Sequence, residues 1–296
     1  MATAEAVAEM IRGFSIEVMP RTAAKIENFC DILPQGTRVY VAMIEGTPLE
    51  DMVATAKRIR AEGFPVMPHI PARLINGRRE LADLLRRYSG EANVDEALIL
   101  GGGAKAPVGE FQCAMQLLET ELFTRNGFNR IHIAGHPEGN RDIDPRGGTA
   151  SVDAALASKH EFLNRTDAKV AIVTQFLFEA APASAWMRRI KENGIDLPVH
   201  LGVAGPAKLQ LLLKFAMSCG VGASLRVLKR RARDIPNLLR THEPTELIAD
   251  VAGLKMKNEM QQLVKLHLFP LGGIKASARW AAEYGGHPNT LRTFRK

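Results

Sequence analysis

Arg38-Val39-Tyr40-Val41-Ala42-Met43, then Leu49 to Ala61, then Val66-Met67-Pro68-His69-Ile70 is one unit of strand, helix and strand. The outer runs are short and rich in β-formers, whereas the middle run places Met52, Val53, Ala56 and Ile59 at helical spacing. Such a unit is the pattern of two parallel strands joined by a crossover helix. The alternation extends in both directions, with strands expected at Phe14–Met19, Arg38–Met43, Val66–Ile70, Ala97–Leu100, Arg130–Ala134, Val170–Phe176, Val199–Leu201 and Leu266–Phe269. Helical periodicity recurs over Glu110–Phe123 (Cys113, Met115, Leu117, Leu118 and Phe123), over Trp186–Ile190 and over Leu209–Met217. Repeated about eight times, the unit predicts an α/β fold, a single closed (β/α)₈ TIM barrel of the kind that needs about 250 residues, rather than a doubly wound sheet.

No low-complexity linker divides the chain. Residues 1–286 therefore read as one barrel domain, and 287–296, with Pro288 and three basic residues, as a frayed basic tail. The connection from Pro206 to about Lys265 is long, and Pro236 and Pro244 punctuate it. It is expected to hold extra helices between the seventh and eighth strands.

Of the 296 residues, 46% are hydrophobic and 24% charged, which is enough apolar material for one large core. No apolar run is long enough for a membrane-spanning helix, so no membrane partner is expected. Met1 to Glu5 has no basic lead into an apolar stretch, so no secretory signal is read and a cytoplasmic location is expected. Three widely spaced cysteines, Cys30, Cys113 and Cys219, fit reduced thiols better than a disulfide framework or a zinc site. The net charge is +7, with basic clusters at Arg226–Arg233 and Arg292–Lys296. No helix-turn-helix, zinc-finger or aromatic RNA-binding signature accompanies them, so a solvated helix face explains the first cluster better than a nucleic-acid partner does. Attraction of a polyglutamylated or phosphorylated small molecule is a third reading.

In a barrel of this kind, reactive groups stand at the C-terminal ends of the strands. Glu17 is a lone carboxylate in the apolar strand Phe14–Met19, where alternation sets Ser15, Glu17 and Met19 opposite Phe14, Ile16 and Val18. It needs a partner, a water-filled mouth or a chemical task; a salt-bridged Glu at a strand end is the plainer alternative. Other polar groups fall at the same end: His69, Gly101 to Gly103, His136-Pro137-Glu138-Gly139-Asn140, Gln175 and His200. His69 alone reads equally well as a core histidine, and the glycines as a turn. Leu100-Gly101-Gly102-Gly103-Ala104-Lys105 has the spacing of neither phosphate-binding loop, although its glycines let backbone approach a flat ring. Asp142 and Asp144 make half a metal site without a matching ligand set, and no metal is expected.

Four stretches are similar to the methylenetetrahydrofolate reductase family. They are Ser15-Ile16-Glu17-Val18-Met19-Pro20-Arg21, Met67-Pro68-His69-Ile70, Ala134-Gly135-His136-Pro137-Glu138-Gly139 and Thr174-Gln175-Phe176-Leu177-Phe178-Glu179. Pro198-Val199-His200-Leu201-Gly202-Val203 stands where the family has a further glycine motif, and order and spacing hold from about residue 14 to 285. The resemblance implies a barrel that reduces 5,10-methylenetetrahydrofolate to 5-methyltetrahydrofolate with NADH or NADPH, a step of one-carbon metabolism that feeds methionine biosynthesis. It implies that Glu17 is the general acid that opens the substrate's five-membered ring, with a pKa raised by burial. It places Gln175 on the pterin and Phe215 near the folate aminobenzoate and the nicotinamide, although Phe215 reads almost as well as a helix core residue.

The same resemblance puts His69, Leu100, Gly101, Gly102, His136, Glu138 and Asn140 at the cofactor, which in the family is FAD. Departures concentrate there. The acid that usually follows strand four is missing from Leu100-Gly101-Gly102-Gly103, a tyrosine is His136, a histidine is Asn140, and the motif near strand eight is Phe269-Pro270-Leu271-Gly272-Gly273. The basic helix that grips the flavin pyrophosphate is reduced to Lys159-His160-Glu161 with Asn164-Arg165 beyond. The expectation is FAD held less firmly than in the family, with direct hydride transfer from the nicotinamide as the alternative. Other readings on the same barrel are a folate-dependent one-carbon or methyl transferase and a non-catalytic folate-binding protein. Family members are often dimers or tetramers, so a homo-oligomer is within the expectation, although no interface stripe stands out.

Overall fold

The computed structural model describes residues 2–219, 228 and 241–285. The expected basic cluster at Arg226–Arg233, apart from Leu228, and the tail lie outside these residues. Eight parallel strands close into a barrel: β1 (Ser15–Val18), β2 (Val39–Val41), β3 (Val66–Pro71), β4 (Glu96–Leu100), β5 (Arg130–Gly135), β6 (Lys169–Thr174), β7 (Val199–Ala204) and β10 (Leu263–Phe269). A small antiparallel pair, β8 (Ala207–Lys208) with β9 (Thr241–His242), stands on the connection from β7 to β10. The outer layer contains α1 (Ala4–Ile11), α2 (Pro20–Ala23), α3 (Leu49–Ala61), α4 (Arg78–Ala92), α5 (Ala114–Glu119), α6 (Leu122–Arg125), α7 (Ala150–Leu163) and α8 (Ala180–Glu192). On the long connection follow α9 (Leu209–Ser218) and α10 (Thr245–Met256), and α11 (Ile274–Gly285) closes the ring against α1.

Helix α3 shows how the sequence writes these elements. Glu50 and Asp51 lie in its first turn and Arg58 and Arg60 in its last, each opposite the helix-end charge it complements. Met52, Val53, Ala56 and Ile59 are buried on one face, and Gly63, at φ +91°, turns the chain into β3. Arg58 then ties the helix end to the segment after β1 by donating to the carbonyls of Ala23, Ile26 and Glu27 while pairing with Glu62.

One expected helix is not continuous. Glu110–Phe123 forms α5 and α6 as separate short helices, because Glu121 adopts a left-handed φ of +58° between them. Apolar spacing continues across this break, which is why periodicity alone runs the two together.

Ile16, Val18, Val39, Val41, Ile70, Ile99, Ile131 and Ile133 face outward into the main core beneath the helices. The inward positions are polar to an unusual degree. Ser15, Tyr40, His132, His200 and His267 are all buried inside the barrel beside Met67, Leu98 and Val173. At the N-terminal mouth Glu96 is gripped by two guanidinium groups, Arg38 at 2.6 and 2.8 Å and Arg130 at 3.1 Å.

The buried imidazoles make a pH prediction. Burial pushes His132 well below its ordinary value, His200 to about 3 and His136 to about 4, with neighbouring cations or imidazoles adding to the shift. The unfolded chain takes up these protons near pH 6.5, the folded chain only in stronger acid, so unfolding binds protons throughout that window. Stability is therefore full above the unfolded value and falls with acid, by up to about 2 kcal/mol per imidazole between pH 6.5 and about pH 5. Urea unfolding at the two pH values reads this directly. An unchanged midpoint would mean that the imidazoles are not held neutral in the fold.

Candidate active site

The C-terminal ends of the strands gather a carboxylate, two imidazoles and an aromatic wall. Glu17, third residue of β1, points inward, with 19% of its side chain exposed at the mouth. Its Oε2 lies 3.3 Å from His69 Nε2 on β3 and 3.9 Å from His267 Nε2 on β10. His267 Nδ1 in turn meets the Ser15 hydroxyl at 3.0 Å. Strand pairing explains the meeting, since β1 hydrogen-bonds to β10 on one side and to β2 on the other, with β3 next beyond.

These partners overturn the expectation of a raised Glu17 pKa. Burial does push the carboxyl up, and it is the largest single influence. The facing His69 and His267 together pull harder and set the free protein's value at about 2. In the open mouth Glu17 is a carboxylate held by imidazoles. His267 itself is lowered, because burial outweighs the pull of Glu17.

On the strand beside the carboxylate, Phe269 at the end of β10 stands edge-on to His267 (4.9 Å between centroids) and to Phe176 (5.4 Å). Phe178 extends this wall, 5.9 Å from Phe176. Gln175 follows β6 directly, and its side-chain oxygen accepts from the Phe176 N–H at 3.0 Å. Gly202 on β7 makes room for it: a Cβ there would come within 2.4 Å of the Thr174 carbonyl and 2.8 Å of that of Gln175. Phe215, half-buried on α9, packs with Phe176, Phe178, Leu209 and Leu212 into the cluster behind the wall. Glu17, His69, Gln175 and the Phe215 cluster thus share one mouth. Outside it, starting at Met19 and Pro20, runs a groove of about 600 Å³ lined also by Arg21, Ile44, Thr47, Asp51 and Thr55.

The remaining positions spread away from this centre. Leu100 packs at the top of the barrel interior, against the cluster of Tyr40, Met67, Leu98 and Val173. Gly101 and Gly102 begin a loop that is knitted to the loop after β3. Arg73 N–H donates to the Gly101 carbonyl at 3.0 Å, its guanidinium reaches the carbonyls of Gln112 and Ala104, and Glu110 N–H donates to the Asn76 carbonyl. At Gly102 a Cβ would touch Pro71 at 3.0 Å, and at Gly109 it would overlap Asn76. A dinucleotide lying between β3 and β4 would have to part these loops. His136 and Glu138 are half-buried beyond β5, and Asn140 accepts from the Asp142 N–H. Asp144, which with Asp142 reads from sequence as half a metal site, caps α7 by accepting from the N–H groups of Ser151 and Val152. Lys159, where the family grips pyrophosphate, is 8% exposed, and Glu161 is paired with Arg165. With no acid after β4 and no open cation on α7, this residue set fits a flavin dinucleotide poorly.

His200 does not reach the mouth. The expected strand ended at Leu201, but β7 continues to Ala204, which leaves His200 near its start, level with Lys265. His267, Phe269 and Tyr40 were not singled out from the sequence. A signal was present, because Arg38 and Tyr40, Arg130 and His132, and Lys265 and His267 each repeat a cation and a ring two residues apart on strands.

No protein family model matches the sequence. Among solved structures, the chain is similar over 95% of its length to an uncharacterized protein from Clostridium thermocellum that binds two copies of 5-methyl-5,6,7,8-tetrahydrofolic acid. That match has a TM-score of 0.58 at 11% identity and covers 99% of the other chain. At this identity the likeness is one of fold. Weaker matches include the carboxyl transferase domain of Rhizobium etli pyruvate carboxylase (TM-score 0.46, 9% identity, 98% of this chain and 49% of that one). Another is the Ignisphaera aggregans GH53 catalytic domain (TM-score 0.43, 11% identity, 90% and 82%). Among the described residues, no helix is long and apolar enough to cross a membrane.

Proposed function

We propose that this barrel reduces 5,10-methylenetetrahydrofolate to 5-methyltetrahydrofolate by direct hydride transfer from NADH or NADPH, with Glu17 as the proton donor. The observation that carries the reading is the Glu17 carboxylate, held between His69 and His267 at the end of the barrel where the half-buried Gln175 and Phe269 also stand. A pterin needs a flat apolar surface and an amide for its donor and acceptor edge, and Phe269 and Gln175 are of those kinds. Ring opening to the N5 iminium needs a proton delivered towards N10, and the carboxyl is the acid for that step. A heterocycle stacked across the mouth removes water from Glu17. Desolvation then raises its pKa and favours the protonated carboxyl. Hydride transfer itself needs donor and acceptor stacked at close range, which the barrel achieves by positioning.

The missing acid after β4, at the place the resemblance gives to the flavin, favours a nicotinamide as the hydride donor without a flavin carrier. The Clostridium thermocellum protein supports the substrate class in that a barrel of this shape accommodates 5-methyltetrahydrofolate. The test is NADH and NADPH oxidation by the purified protein with methylenetetrahydrofolate, with and without added FAD. Turnover independent of FAD is expected. Turnover only with FAD would restore the flavin route, and no oxidation under either condition would point to a methyl transferase on the same barrel.

A further inference from the structure

The N-terminal mouth, at the end of the barrel away from Glu17, gathers more positive charge than its acids neutralise. Arg38 before β2, Arg130 on β5 and Lys265 on β10 each stand two residues ahead of a buried inward ring, Tyr40, His132 and His267. Alternation gives them the same inward face. On β6, Val173 lies in the barrel interior, and Lys169 shares its face four residues earlier, at the exposed rim. Between them comes Ala171, whose side chain is a single methyl group.

Glu96 on β4 is the carboxylate set among these cations, and it is already committed. Arg38 holds both of its oxygens, at 2.6 and 2.8 Å, and Arg130 Nε adds a contact at 3.1 Å. The next acid along the mouth, Asp95, accepts from the Asn129 side chain, and its charge bears on Arg38. With both acids counted, two cations are left over. Lys265 is half-buried, and Arg38 and Arg130 both repel it while only Glu96 attracts it. Among the described residues its ammonium has no ion pair. A cation held partly out of water beside two others is unfavourable, and a counter-anion relieves it. These cations converge on the inside of a closed barrel end, a concave shape that suits a compact anion better than a nucleic-acid duplex or a membrane. Arg130 spends only Nε on Glu96, so its two terminal nitrogens are left for another acceptor, together with the ammonium groups of Lys265 and Lys169. Donors arriving from several sides match a tetrahedral oxyanion.

We propose that the N-terminal mouth binds a phosphate-sized oxyanion, free phosphate or the phosphoryl group of a small metabolite, between Arg130, Lys169 and Lys265. The site stands apart from the reductase reading, since it uses none of the residues at the other mouth.

The test is calorimetric titration of the full chain with inorganic phosphate, with ionic strength held constant by sodium chloride, and melting curves in the same buffers. One saturable site is expected, and phosphate at about ten times its Kd should raise Tm by roughly 3 °C. Lys265→Met, which keeps most of the stem, should weaken binding roughly 10-fold, and Lys169→Gln roughly 3-fold. Lys275→Gln, at the other end of the barrel, should leave it unchanged. In phosphate-free buffer Lys265→Met should melt higher than the parent, because the repulsion is gone, whereas a lysine with a merely structural role would melt lower when lost. Glycerol phosphate in place of phosphate identifies the source: tighter binding names a metabolite's phosphoryl group, weaker binding the free ion. Stabilisation matched by chloride alone would overturn the site, as would phosphate binding that Lys169→Gln and Lys265→Met both retain in full. A single-stranded oligonucleotide that displaces phosphate and is itself lost with Lys265→Met would overturn it in favour of a nucleic-acid surface. Should Lys265→Met fail to fold, Lys169→Gln decides.

Discussion

Glu17→Gln is expected to lower kcat for methylenetetrahydrofolate reduction by about 10²–10⁴-fold, the range that a positioned general acid contributes. The amide matches the carboxyl in shape and still hydrogen-bonds, but it has no proton to deliver towards N10. In the proposed reading folate meets the half-buried Phe269 and Gln175, neither of which the substitution alters, so the folate KM should change little. A loss confined to kcat marks an interaction used only in the transition state. The variant should also be less stable near neutral pH, because the lowered pKa of Glu17 means that the fold favours its charged form, which the amide lacks. Steady-state kinetics with a urea titration separates the two effects. Retention of most of the turnover would remove Glu17 from the proton-donor role.

The second large effect falls at the other end of the barrel. Glu96→Gln is expected to destabilise the fold by about 3–5 kcal/mol, the cost of breaking a buried ion pair from one side. Glu96 has only 13% of its side chain exposed and neutralises both Arg38 and Arg130. Lys265, already lowered by burial and by these two guanidinium groups, adds a third cation to the same space. Without the carboxylate the three would face one another in a partly dehydrated mouth. Glu50→Gln is the control, since it also loses a two-pronged contact with Arg87, but on the surface, where Glu50 is 74% exposed. That change should leave stability nearly unaltered, because an ion pair in water contributes little. Equal effects from the two substitutions would mean that the N-terminal mouth is far wetter than its burial indicates.

The barrel was legible because its strands and helices carry different apolar periods, and because Pro and Gly mark where one gives way to the other. Glu17 was legible too, as a carboxylate with no sequence neighbour to pair with. Its environment was not. His69 and His267 lie 52 and 250 positions further along the chain and meet Glu17 only through the strand register, so the direction of its pKa shift could not be read from the segment around it. The polar interior was hidden for a related reason. Arg130-Ile131-His132-Ile133 reads as a strand on its isoleucines, and in a barrel it is the other face that points to the centre. The knitting of Arg73 to the loop after β4 rests on backbone carbonyls, which carry no residue code at all.

The central claim is that hydride passes straight from the nicotinamide to the folate. The measurement uses NADH or NADPH carrying deuterium at both C4 positions of the nicotinamide, with methylenetetrahydrofolate in ordinary water, and counts deuterium in the methyl group of the product. Direct transfer predicts one deuterium in every methyl group formed, with none lost to solvent. A product methyl whose third hydrogen comes from solvent would place an exchangeable carrier between the two substrates and contradict direct transfer.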